Sequence, residues 1–121
     1  MITGTVLHRR ILVNLTMRGP AAREAEIEFV LDTGFTGVLT MMPTICKALG
    51  LHYICPQTAQ LADGSSVILE VYQAALFWNG EEHNVEILAI EGAPLIGMTL
   101  LEDSDVHFQG KKGGIVRIEA L

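Results

Sequence analysis

Two dipeptides bracket a long extended run in this chain and limit what it can become. Asp63-Gly64 and Asn79-Gly80 stand on either side of Val67 to Trp78, a stretch rich in branched and aromatic residues. Pairs of this kind between extended arms favour the positive φ values of a tight hairpin turn. The first turn, Ala62 to Ser66, joins that run to a shorter arm, Thr58 to Leu61. The second feeds a strand from His83 to Ile90. A chain built on consecutive hairpins is a sheet protein, and the remaining segments fit that frame.

Thr5 to Met17 reads as β structure, with Ile11, Val13, Leu15 and Met17 on one face and Asn14 and Thr16 on the other. Arg18-Gly19-Pro20 breaks it. Ala25 to Leu31 resumes as a strand, and Val38 to Met41 is a short one. Pro43 then opens a helix over Thr44 to Leu49, since proline suits the first helical position, and Gly50 ends it. Pro94-Leu95-Ile96-Gly97 is a short apolar strand stopped by glycine. Met98 to Glu102 can form one or two helical turns. Val106 to Phe108 and Gly114 to Leu121 close the chain as strands, joined by the turn Gly110 to Gly113. The class is all-β with one or two short helices. With 121 residues, no internal repeat and no linker, residues 1–121 are expected to form one domain.

Composition bounds the function. Half the residues are hydrophobic and the mean hydropathy is +0.38, so some apolar surface is expected to meet another subunit. The formal charge of −6 argues against a nucleic-acid partner. No apolar run approaches the roughly 18 residues of a membrane span. Met1-Ile2-Thr3-Gly4 lacks the basic and apolar regions of a signal peptide, so the expected location is the cytoplasm. Cys46 and Cys55 suit a reducing compartment. Asn14-Leu15-Thr16 matches a glycosylation sequon but, without secretion, is only a strand segment.

The chemistry concentrates in Phe29-Val30-Leu31-Asp32-Thr33-Gly34-Phe35-Thr36-Gly37. An apolar strand runs into a carboxylate, a hydroxyl and a glycine. The strand plants Asp32 at a rigid end, and Gly34, lacking Cβ, lets its own N–H approach the carboxylate. Thr33 offers a hydroxyl that donates and accepts. Taken alone, the same residues also describe a turn that Asp32 merely caps.

Three features in order give the triplet a context: Asp32-Thr33-Gly34, the hairpin tip at Asp63-Gly64, and Leu95-Ile96-Gly97 before a short helix. This combination resembles the retropepsin-like single-domain aspartic proteases over nearly the whole chain. Asp32-Thr33-Gly34-Phe35 looks like their prokaryotic branch, which has Phe after the triplet. The resemblance implies a closed, barrel-like sheet with one or two short helices. It implies that Asp32 is the catalytic carboxylate and that Thr33 hydrogen-bonds across a twofold axis. Gly34 would aim its N–H at the active carboxylates. Ala62, Asp63, Gly64 and Ser65 would form the flap over a bound peptide. Leu95, Ile96 and Gly97 would pack beneath the catalytic loop. Terminal strands of two subunits, Gly4 to Leu7 and Ile115 to Leu121, would interleave; pairing only within one subunit is the alternative.

Peptide hydrolysis without a metal or covalent intermediate needs a base for water and an acid for the carbonyl. Two facing carboxylates serve as both, because repulsion keeps one of them protonated. The chain carries a single Asp-Thr-Gly, so one copy holds half a site and a homodimer is expected. No cofactor, metal, nucleic acid or membrane partner is implied. Family members familiar from other branches have Ser or Ala where this chain has Phe35, which either walls a substrate subsite or fills core. Asp63 near the flap tip either repels acidic peptides or serves the turn. His8, His52, His83 and His107 have no metal-ligand spacing. Cys46, in the expected helix, reads as a buried structural thiol. Gly110-Lys111-Lys112-Gly113-Gly114 lacks the context of a P-loop. The leading expectation is an aspartic endopeptidase, and its rival is an inactive module of the same fold used for dimerisation or peptide binding.

Overall fold

The computed structural model of the chain describes residues 1–20 and 23–121. Among these residues the protein is all-β. Its strands are β1 (Ile2–Leu7), β2 (Arg10–Arg18), β3 (Glu24–Leu31), β4 (Leu39–Met41), β5 (His52–Gln60), β6 (Ser66–Trp78), β7 (Glu81–Ala89), β8 (Leu95–Ile96), β9 (Ser104–Phe108) and β10 (Ile115–Ala120), with two short helices, α1 (Pro43–Ala48) and α2 (Met98–Leu101). The strands form one sheet in the order β5-β6-β7-β4-β8-β3-β2-β1-β10-β9. A further pairing of β6 with β2, Met17 opposite Leu76 and Arg18 opposite Ala75, closes the middle of that sheet into a barrel. Arg18 seals the closure by an ion pair to Glu82 on β7 and by lying over the Phe77 ring, 5.7 Å from its centroid.

The barrel exists because each of its strands offers apolar side chains to one interior. Met17, Phe29, Leu39, Leu76, Ile87 and Ile96, one from each of the closed strands, are fully buried. Each such burial contributes about 1.5–3 kcal/mol. The expected alternation in β2 holds for Val13, Leu15 and Met17, while Ile11 is only half-buried. Thr40 is the one buried polar side chain among the described residues, and its hydroxyl accepts the Leu95 N–H at 3.0 Å.

Asn79 and Gly80, at φ 52° and 78°, make the two-residue turn that their identity predicts. Gly50 follows α1 at φ 63°. Elsewhere the structure departs from the sequence reading. Thr5 to Met17 is β structure as read, but it is divided into two strands: His8 and Arg9, at φ 52° and 62°, turn the chain back on itself between β1 and β2. Neither is a glycine or an asparagine, so the local sequence carries no strong hairpin-turn signal there. The first arm of the long hairpin begins at His52, not Thr58. His52 to Thr58 are exposed on both faces, so no alternation marks them as a strand.

The terminal strands are committed within the chain. β1 lies between β2 and β10, and β10 between β1 and β9. Val116 and Ile118 are fully buried while Arg117 and Glu119 are exposed, matching the expected faces. Within the single chain, β1 pairs with β10 over Ile2 to Thr5 and with β2 over Gly4 to Leu7. No helix among the described residues is long and apolar enough to cross a membrane.

Candidate active site

Asp32 directly follows β3. Its backbone is fixed on both sides: its N–H donates to Ile96 O at 2.9 Å, and its carbonyl accepts the Phe35 N–H at 3.1 Å. The carboxylate Oδ1 accepts the Gly34 N–H at 2.8 Å. That bond is the one expected from a glycine at this position, and a Cβ there would stand 3.2 Å from the same oxygen. The Asp32 residue is only half-buried, and Thr33 and Gly34 are exposed. The Thr33 hydroxyl makes no hydrogen bond to any described residue, which leaves both its proton and its lone pairs for an external partner.

β8 is the support of this loop. Val30 and Leu31 pair in parallel with Leu95 and Ile96, and Leu39 and Thr40 pair with Ile96 and Leu95 from the other side. Leu95-Ile96 thus sits between the strand entering the loop and the strand leaving it. Beyond β8 the Gly97 N–H donates to Val38 O at 2.9 Å, Met98 N–H to Phe35 O at 2.8 Å and Thr99 N–H to Gly37 O at 3.1 Å. The Thr99 hydroxyl donates to Thr36 O. The start of α2 is in this way tied to three consecutive loop residues.

Two glycines permit that closeness. A Cβ on Gly97 would lie 2.1 Å from Gly37 O and 2.6 Å from the Phe35 ring, and a Cβ on Gly37 would lie 2.6 Å from the same ring. The Phe35 ring therefore rests on the two bare glycine backbones, half-buried, and supports the loop from the side. Phe35 stands outside both the buried core and the partly buried side chains packed against it. Gly37 ends the stretch that the sequence marks, whereas Thr40 and Thr99 carry no such mark. Only the pairing of distant segments gives them their roles, although the alternation of Gly, Thr and apolar residues after Asp32 is the signal that a closely packed loop leaves.

Ala62, Asp63, Gly64 and Ser65 form the tip between β5 and β6, and all four are exposed. The tip is held to itself. Leu61 N–H donates to Ser65 O at 2.8 Å, Gly64 N–H to Leu61 O at 3.0 Å, and Asp63 Oδ1 accepts both the N–H and the hydroxyl of Ser65. The Ser65 bonds hold the Asp63 carboxyl below its ordinary value, the hydroxyl having the larger effect. Asp63 therefore serves the turn. None of these four residues hydrogen-bonds to the Asp32 loop. The two regions approach at the root of the hairpin, where Gly37, Val38, Gln57 and Val71 share a hollow of about 100 Å³.

A larger cleft of about 740 Å³ lies elsewhere, between the β1–β2 and β9–β10 turns, with Phe108 on its wall and Arg9, Lys111 and Lys112 around it. No residue expected in the site lines it. Cys46 is fully buried in α1, and burial raises its thiol pKa, which disfavours the thiolate that a nucleophile needs. No protein-family model, no curated protein and no solved structure matches this chain. The functional reading rests on the residues and their geometry.

Proposed function

We propose that the chain is one subunit of a homodimeric aspartic endopeptidase, with Asp32 of each subunit forming the catalytic pair. The observation that supports this most is the state of the Asp32 carboxylate. One oxygen is fixed by the Gly34 N–H at 2.8 Å while the side chain stays open to solvent, on a loop pinned from below by β8 and α2. A carboxylate that only capped a turn needs no such foundation.

In this reading, two Asp32 carboxyls about 3 Å apart share one proton because both cannot be charged at that distance. The charged one removes a proton from water as the water oxygen attacks the peptide carbonyl carbon. The protonated one gives its proton to the carbonyl oxygen. As the tetrahedral diol collapses, the carboxyl that took the water proton gives it to the leaving amine nitrogen, the other carboxylate takes back a diol proton, and the C–N bond breaks. The free Thr33 hydroxyl suits a bond across the axis to the other loop. The exposed tip at Ala62–Ser65 would cover a substrate bound as an extended strand. A cleft shared by two subunits has only one wall in each, which accounts for the small hollow beside Gly37.

Asp32→Asn tests the proposal. The variant is isosteric and is expected to keep the fold and the dimer while cleavage of a peptide library falls to background. A wild-type protein that binds extended peptides yet cleaves none from about pH 4, near the ordinary carboxylate pKa, upward to about pH 8 would instead make the chain an inactive module of peptide binding or dimerisation.

A further inference from the structure

The sheet has two ends, β5 and β9. β5 is a poor template for another strand. Pro56 lacks an N–H, and the register slips between Tyr53 and Cys55. β9 has neither defect and runs in unbroken register from Ser104 to Phe108 against β10. Two flanking bonds set its phase: Gln109 N–H to Ile115 O and Leu121 N–H to Asp103 O, both at 2.9 Å. Asp103, Asp105, His107 and Gln109 therefore turn their backbone groups toward β10. Ser104, Val106 and Phe108 turn theirs to the free edge.

The side chains on this edge are mismatched within one chain. Glu119 stands opposite Asp105, and Arg117 stands opposite His107. Like charges directly across a sheet are unfavourable. All four residues are exposed and surround a hollow of about 170 Å³. Edges are commonly guarded against pairing by lysine, proline or a bulge, and Ser104 to Phe108 has none of these. Here an acid and a histidine sit two residues apart on either side of Val106, and that spacing is self-complementary.

We propose that β9 is the edge on which a second copy of this chain docks, antiparallel about a twofold axis through Val106. The inference rests on the dimeric reading above and specifies its seam. In that register Val106 faces its own copy and Ser104 faces Phe108, using the outward backbone groups for about six hydrogen bonds. Asp105 of each copy meets His107 of the other at the non-hydrogen-bonded positions, where Cα atoms approach to about 4.5 Å. Across the seam, Glu119 and Asp105 then face His107 and Arg117 of the second copy, so both like-charge pairs gain an opposite partner when His107 is protonated. Phe108, 48% exposed in the single chain, loses part of that exposure. β9 also starts close to the Asp32 loop: α2, about 6 Å long at 1.5 Å per residue, is tied to the loop at Met98 and Thr99 and leads into it.

Charge exchange tests the seam at low salt by sedimentation equilibrium, with thermal unfolding as the control for folding. Asp105→Lys places its lysine beside Glu119 in the same chain but opposite His107 in the dimer. His107→Glu likewise suits Arg117 in its own chain but meets Asp105 across the seam. Each single substitution is expected to leave the fold as stable or more stable and to weaken dimerisation on the order of tenfold or more. The double substitution restores self-complementarity and is expected to recover the dimer. Single variants that dimerise as tightly as wild type, or a double variant that stays weakened, would overturn the proposal. If those variants dimerise and cleave normally, the seam lies elsewhere and the peptidase reading stands. If the rescue pattern holds but wild type cleaves nothing, the seam stands and the peptidase reading falls.

Discussion

The Asp32 loop and the Ala62–Ser65 tip are both turns between strands, and they are held in opposite ways. The loop is bonded to segments about sixty residues away: Asp32 to Ile96, Phe35 to Met98, Gly37 to Thr99. The tip is bonded only within Leu61 to Ser65. Around Gly97 there is no space for one added carbon, whereas nothing stands within 4 Å of a Cβ on Gly64. The difference teaches that one sheet supplies both a fixed platform and a free hairpin tip. Long-range backbone bonds and close packing hold a carboxylate in one place, and local bonds leave a hairpin tip to move with its arms.

Substitutions at the two glycines sharpen that contrast. Gly97→Ala should have the larger effect, since its new methyl meets the Gly37 carbonyl and neither backbone can yield without breaking the loop's bonds. A loss of about 2–4 kcal/mol in urea unfolding is expected. Gly64→Ala has space but adopts φ 88°, so its cost is conformational, about 1–2 kcal/mol. In the proposed enzyme the two also differ in kind. Gly97→Ala should disturb the carboxylate and lower kcat, while Gly64→Ala should change KM through the cover. Equal stability losses at both positions would remove the distinction between platform and tip.

What could be read from the sequence divides along the same line as the two turns. The hairpin tip, the Asn79-Gly80 turn, the helix between Pro43 and Gly50 and the apolar Leu95-Ile96 strand announce themselves locally, by turn chemistry or by a proline and a glycine. The Asp32-Thr33-Gly34 geometry was equally legible, because an aspartate readily accepts the N–H two residues on and a glycine there keeps a Cβ from crowding the oxygen. The turn at His8-Arg9 was not, since neither residue is a glycine or an asparagine and the pairing of the flanking strands fixes it. Nor was the early start of β5, whose exposed residues show no alternation. The closure at Met17 and Leu76 and the resting of Phe35 on Gly97 join residues about sixty apart, and no local pattern carries such contacts. The commitment of β1 and β10 within one chain, which moves the free edge to β9, belongs to the same class.

The central claim is that two Asp32 carboxyls from two chains make one site. Mixing wild-type chains with an equal amount of the Asp32→Asn variant, and allowing subunits to exchange, measures this directly. Random pairing leaves about one quarter of the dimers with two intact carboxyls, so peptidase activity per total protein is predicted to fall to about a quarter of the wild-type value. A fall to only about half, proportional to dilution, would show that each chain works alone and would contradict the account.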